Sequence, residues 1–226
     1  MALQSYLYFN NLVLSMDSKE EQKNKPYLFE IISLECRWFF KRAVPLTLAK
    51  LFEGTDQEIR TDVYWIKGIS QNSNETNNGV KLREGRLEIK KKIEEMLVPE
   101  IPGIVQKWKK TGQLPPQIAK IDTDWLKITK KRKLNKYKIE NGHISGPVVE
   151  YPSSGCNFEL TLFEKPFEKY ATVGFEAYGK EQNLLENLLI TFNEIIKVVG
   201  SGEVFISENS KSYPEWLAEL GGVWKS

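Results

Sequence analysis

Charged and apolar side chains alternate along two stretches of the chain, residues 79–92 and 156–179. In the first, Lys81 and Arg83 fall on one side of an extended backbone. Beyond a Glu84-Gly85 turn, Arg86, Glu88, Lys90 and Lys92 do the same. In the second, Asn157, Glu159 and Thr161 line up, and later Thr172, Gly174 and Glu176. A strand has a period of two, so each set shares one face of a sheet. The positions between them carry Leu82, Leu87, Ile89, Phe158, Leu160, Leu162, Val173 and Phe175. This pattern predicts a sheet with one apolar face and one charged face of mixed sign.

The same reading supplies the other elements. Residues 27–40, rich in aromatic and β-branched side chains, read as a long strand. Pro45 opens a short helix over 46–53, with Leu48, Leu51 and Phe52 at helical spacing and Gly54 to end it. Residues 59–67 form a second strand, and the Asn/Ser/Gly-rich 68–79 a loop. Segments 80–84 and 86–93 pair across the Glu84-Gly85 turn. Ile104, Val105 and Trp108 share one side of a predicted helix over 103–110, and Pro115-Pro116 breaks the chain again. Residues 125–131 and 134–140 read as two strands, His143 as part of a turn, and 146–155 as a loop. Segments 157–163 and 171–178 form another strand pair. The clearest helix is 180–199, ended by Gly200; 204–207 reads as a short strand, and 213–217 as a tail packing back onto the body. About eight strands with a few flanking helices predict an α+β fold built on an antiparallel barrel. Residues 1–26 read as an N-terminal extension and 27–226 as a single domain.

Composition narrows the function. The 226 residues are 41% hydrophobic and 12% aromatic, enough for a real core. With 32 basic and 30 acidic residues the net charge is +2, so no bulk attraction to polyanions is implied. Basic clusters at 90–92, 107–110 and 130–133 act locally. The single histidine excludes Cys/His metal sets and leaves one candidate base for a catalytic triad. Cys36 and Cys156 lie in apolar strand-like settings and read as buried free thiols. No stretch is long enough to span a membrane, and residues 1–16 lack the basic start of a signal peptide, so a cytoplasmic protein with no membrane partner is expected. The six tryptophans are scattered and read as packing residues. No RNP-type or KH-type motif is present, so nucleic acid is not expected as a partner.

The candidate chemistry lies on the charged faces. The first strand offers Glu35 and Arg37, the second Asp62 and Tyr64, and the middle pair Lys81, Arg83, Glu88 and Lys90. Later strands add Lys130, Arg132, Glu159 and Glu176. Several Lys and Arg side chains together neutralise a polyphosphate, Arg in bidentate fashion. Clustered carboxylates hold Mg²⁺ or Mn²⁺, which bridge to phosphates and stabilise developing charge. Each charge taken singly also fits a solvated strand end or a cross-strand pair such as Lys81 with Glu88, worth roughly 0.2–1 kcal/mol. Alternation shared by several strands points instead to the wall of a cavity.

Over about residues 27–199 the element order and motifs resemble the CYTH superfamily, the triphosphate tunnel metalloenzymes. Arg60-Thr61-Asp62-Val63-Tyr64 resembles the family's Asp-x-Tyr strand, and Val80-Lys81-Leu82-Arg83 its Leu-Arg-x-Arg strand. Leu87-Glu88-Ile89-Lys90 resembles the next strand, which ends in a phosphate-binding Lys, and Thr129-Lys130-Lys131-Arg132 a later Lys-x-Arg strand. Val173-Gly174-Phe175-Glu176 and the following helix resemble the closing acidic strand and helix. The resemblance implies a closed eight-stranded antiparallel tunnel. It implies phosphate binding by Lys81, Arg83, Lys90, Lys130 and Arg132, to which Arg37 is added from the residues, and Mg or Mn held by Glu35 and Glu176, with Glu159 as a compensating ligand outside the family's slots. The implied partner is an anionic small molecule such as a triphosphate. Two places depart from the family pattern. Its Glu-x-Glu-x-Lys signature stands here as Glu35-Cys36-Arg37-Trp38-Phe39, and its closing Glu-x-Glu is reduced to Gly174-Phe175-Glu176. An arginine at a metal-ligand position repels a cation, and Arg37 is expected to pair with Glu35. Function then reads as triphosphate or other polyanion binding, either with metal-dependent triphosphate hydrolysis or adenylate-cyclase-like chemistry, or as a catalytically inactive binding or protein-interaction module. No catalytic residue is assigned.

Overall fold

The structure is a computed structural model that describes residues 27–41, 43–66, 77–113, 125–200 and 204–220. The expected N-terminal extension, most of the 68–79 loop, Pro115-Pro116 and Trp224 lie outside the described residues.

Nine strands form one antiparallel sheet among those residues: β1 (Tyr27–Lys41), β2 (Gln57–Trp65), β3 (Asn78–Arg83), β4 (Arg86–Leu97), β5 (Ile104–Gln113), β6 (Trp125–Glu140), β7 (His143–Val148), β8 (Gly155–Phe163) and β9 (Tyr170–Tyr178). Their order is β2-β3-β4-β5-β1-β9-β8-β6-β7, and β2 also pairs with β6. That pairing runs from Gln57↔Lys133 to Trp65↔Trp125 and closes eight strands into a barrel. Closure removes the free edges that an open sheet exposes. β7 is an extra strand hydrogen-bonded to the second half of β6. β1 binds β5 along its first half and β9 along its second, so it spans the barrel wall.

The alternation expected from the sequence places the apolar face of β1, β8 and β9 outward, under a helix, while Val80, Leu87 and Ile89 of β3 and β4 pack with Trp65, Leu82 and Trp125. Helix α1 covers Leu46–Lys50, α2 Leu184–Val199 and α3 Tyr213–Glu219. α2 buries Leu184, Leu188, Phe192 and Ile195, one stripe at helical spacing. Beneath it lie Cys36, Trp38, Phe158, Val173 and Phe175 from β1, β8 and β9. Trp38 is fully buried, with the Phe205 ring 4.6 Å and the Phe192 ring 6.0 Å away. Phe52, just past α1, stacks on Phe158 at 4.6 Å. Among the described residues, no helix is long and apolar enough to cross a membrane.

Four expectations are corrected. Residues 103–110 are not helical; Ile104–Gln113 is the strand β5. The 104/105/108 spacing fits a helix face, but here Val105 faces the outer core while Gln106, Trp108 and Lys110 line the interior. Segments 125–131 and 134–140 are one 16-residue strand, β6, continuous because it pairs with β2 along its first half and with β8 and β7 along its second. The start of the 146–155 loop belongs to β7, whose first residue is His143. The hairpin from β6 turns through Asn141 (φ 51°) and Gly142 (φ 74°), the positive-φ pair that matches the twist of adjacent strands. Residues 204–207 form no strand: they lead into a 3₁₀ turn at Ser207–Asn209, and Phe205 drops into the core.

Candidate anion-binding tunnel

The C-terminal segment enters the barrel and caps one end. Ser210 makes a single bridge to Trp38 on β1, and the Lys211 N–H donates to the Arg37 carbonyl at 3.0 Å. The chain then turns inward into α3, whose start is fixed by a capping box between Ser212 and Glu215 with Pro214 in the first turn. Trp216, Leu217 and Leu220 pack against Phe39, Tyr64, Ile128, Phe163 and Phe167. The Trp216 ring stacks on Phe163 at 4.8 Å and on Phe39 at 5.0 Å. What remains of the interior is a cavity of about 540 Å³. Ser212, Tyr213, Pro214 and Leu217 form its capped end.

One wall, from β2 through β6, gathers positive charge. Asp62 is fully buried and accepts hydrogen bonds from Arg83 Nε at 2.8 Å, Arg83 Nη2 at 3.2 Å, Lys130 Nζ at 3.0 Å and the Tyr64 hydroxyl at 3.1 Å. Lys81 and Arg60 stand 3.6 and 4.0 Å from the same carboxylate. Glu88 is shared by Lys81 at 3.2 Å, Arg83 at 3.4 Å and Lys110 at 3.8 Å. Five basic side chains (Arg60, Lys81, Arg83, Lys110, Lys130) thus meet three carboxylates, Asp62, Glu88 and Glu58, the last 3.9 Å from Arg60, a formal excess of two positive charges. Burial alone would raise the Asp62 carboxyl, but Lys130, Lys81 and Arg83 outweigh it and hold Asp62 far below the usual carboxylate range. The cations bear the cost. Burial, with repulsion from Arg83 and Lys130, pushes Lys81 well down against the pull of Asp62 and Glu88. Burial likewise pushes Lys130 down to about 8. The Arg60 Nε is buried with no hydrogen-bond partner.

The opposite wall pairs its charges more fully. Glu159 accepts from Arg37 Nη1 at 2.9 Å, from Thr161 Oγ1 at 3.0 Å and from Arg132 Nε. Burial would raise this carboxyl, yet Arg132 and Arg37 keep it well below its ordinary value. Arg132 also reaches Glu58 at 3.2 Å, and the Arg37 guanidinium lies 4.9 Å from the Tyr213 ring centre. Glu35 is bound by Lys90 and, at 2.7 Å, by the Ser33 hydroxyl. Glu176, its direct partner across β1 and β9, accepts from Asn157 Nδ2 at 3.4 Å. Burial raises Glu176, but Lys110 and Lys90 outweigh it and lower its pKa. Lys90 sits 5.0 Å over the Trp108 ring.

All nine residues expected to bind phosphate or metal line this one cavity: Arg37, Lys81, Arg83, Lys90, Lys130 and Arg132, with Glu35, Glu159 and Glu176. The expected Lys81–Glu88 cross-strand pair is present. Arg37 does not pair with Glu35; it reaches Glu159 on β8 instead, and Lys90 takes Glu35. The three glutamates do not gather into a metal site. Among the described residues no group of three or more His, Cys, Asp or Glu is arranged to hold a metal ion. Both oxygens of Glu159 face guanidinium groups, and both of Glu35 are taken by Ser33 and Lys90, so this donor set does not fit Mg²⁺ or Mn²⁺. The sequence reading missed Arg60, Lys110 and Tyr213 as lining residues. Arg60 keeps the alternation of Asp62 and Tyr64, and Lys110 that of Gln106 and Trp108, a signal hidden by the helical reading of 103–110. Tyr213 carried no comparable signal.

No protein-family model matches the chain, and no curated protein does. Among solved structures it is similar to the PH1819 protein from Pyrococcus horikoshii OT3, at 16% identity and a TM-score of 0.42, covering 84% of this chain and 99% of that one. It is also similar to the S. pombe Pct1 RNA triphosphatase, solved in complex with the Spt5 CTD, at 9% identity and a TM-score of 0.36, covering 85% of this chain and 95% of that one. Likeness this distant bears on neither activity nor ligand.

Proposed function

We propose that this protein binds an anionic small molecule bearing a phosphate chain, of the triphosphate type, inside the barrel. The supporting observation is the β2–β6 wall, where five basic side chains share three carboxylates and the buried Arg60 Nε has no hydrogen-bond partner. Burying cations in excess is unfavourable unless an anion completes the site. A phosphate chain supplies the missing charge, with several oxygens for the guanidinium forks of Arg60 and Arg83. The cavity, about 540 Å³, falls in the size range of small-molecule sites. Because α3 caps one end, the ligand enters from the end bearing Tyr151 and Tyr178.

Metal-dependent hydrolysis would need carboxylate oxygens free for a cation, and the protein's own Lys and Arg take them at Glu35 and Glu159. Binding is therefore the reading the geometry supports best. Thermal unfolding of the full chain with and without tripolyphosphate tests it. A ligand of the native state at a hundred times its Kd adds about 2.7 kcal/mol. For a chain of this size that corresponds to a Tm rise of roughly 5–10 °C. An unchanged Tm at millimolar tripolyphosphate, at low salt, would refute the proposal.

A further inference from the structure

We infer that the tunnel takes its anion without a divalent metal ion, because the Arg37 guanidinium is a cation built permanently into the wall through Gly174. This rests on the anion-binding reading above. Arg37 and Gly174 are direct partners across β1 and β9. A Cβ on residue 174 would stand 2.7 Å from Arg37 Cζ, 2.9 Å from Nη2 and 3.1 Å from Nε. Those atoms are the guanidinium itself, and Glu159, Thr172 and the Tyr213 ring hold it in place. A side chain at 174 would crowd the group where it passes over β9 to reach Glu159 on β8. Arg37 and Gly174 are therefore one structural feature: the missing side chain at 174 is the room that the guanidinium fills.

The same guanidinium removes the means of holding a metal. With Arg132 it occupies the oxygens of Glu159, while Lys90 and Ser33 occupy those of Glu35. Glu176 remains, and the positive charge of Lys110, Lys90 and Arg132 already acts on it. A divalent ion there would meet Lys90, Lys110 and Arg132, and the neighbouring carboxylates of Glu35 and Glu159 are already bound to Lys90, Arg37 and Arg132. The charge that Mg²⁺ brings to phosphate sites elsewhere is here supplied by fixed side chains.

Isothermal titration of the full chain with tripolyphosphate, once in excess EDTA and once in excess Mg²⁺ or Mn²⁺, tests this. We expect binding in EDTA, with the divalent ion weakening it by complexing the ligand. Binding seen only with the metal ion would overturn the inference and leave the anion-binding reading intact. No binding in either buffer would overturn both. Arg37→Met tests the residue: affinity in EDTA is expected to fall about tenfold at low salt, and an unchanged affinity would remove Arg37 from the site. The wild-type comparison decides the metal question even if that variant does not fold.

Discussion

Replacing Lys130 by methionine separates stability from binding. The Lys130 side chain is 2% exposed, and burial lowers it from 10.5 to about 8. At 1.36 kcal/mol per unit, carrying a charge there costs the folded state about 3 kcal/mol. Because the folded value lies below the unfolded one, this cost is fully present below about pH 8 and fades as pH rises toward 10.5. Methionine keeps the length and removes the charge. It also removes hydrogen bonds to Asp62 and Tyr64, worth about 1–2 kcal/mol together. Asp62 keeps Arg83 at 2.8 and 3.2 Å. Lys130 is also the strongest cation acting on Asp62, and removing one partner of a buried pair costs about 3–5 kcal/mol, those bonds included, so the net expectation at neutral pH is a loss of no more than about 2 kcal/mol. Binding should suffer. A unit charge about 8 Å from a phosphate at an effective dielectric near 20 contributes about 2 kcal/mol, roughly 30-fold in affinity. Urea unfolding at neutral pH and at pH near 10.5, with tripolyphosphate titration at neutral pH, measures both. Unchanged affinity would refute the reasoning, since Lys130 would then serve the fold and not the ligand.

Other outcomes follow from the same wall. An anion favours the charged forms of Lys81 and Lys130, so binding above about pH 8 should take up protons, and affinity should fall as pH rises through that value; binding heats independent of the buffer's ionisation heat at such pH would contradict this. Gly174→Ala should cost about 1–3 kcal/mol in urea unfolding, because its Cβ collides with the pinned Arg37 guanidinium; an unperturbed midpoint would mean the guanidinium is free to move. Trp216→Ala should cost about 3–5 kcal/mol and loosen the capped end, since this ring is 2% exposed and packed between Phe39 and Phe163; a loss under about 1 kcal/mol would show that α3 is a loosely held tail.

The strands with strict charge alternation were legible in the sequence, because a period of two with one apolar face suits a half-buried strand and does not suit a helix. Lys81, Arg83, Lys90, Glu159 and Glu176 came out on the right face for that reason. What the sequence could not show was pairing between distant segments. Closure depends on β2 meeting β6, with Arg60 opposite Lys130. That register decides which cations crowd Asp62, and no local pattern carries it. The partner of Arg37 was misjudged for a related reason: the nearest carboxylate in the chain is Glu35, but the glycine opposite opens a path across β9 to Glu159. β5 was read as a helix because Ile104, Val105 and Trp108 fit a helical face, and Lys110 was lost with it. Residues 213–217 pack back onto the body as expected, but a seven-residue helix has too few positions to show that it will cover the end of the barrel.

The proposed role of the excess positive charge on the β2–β6 wall is to hold a phosphate chain. Calorimetric titration of the full chain with tripolyphosphate at low salt tests it most directly. We expect saturable one-site binding, weakened by added salt and by Arg60→Met together with Arg83→Met. Absence of binding at millimolar tripolyphosphate, or binding indifferent to that double substitution, would contradict it.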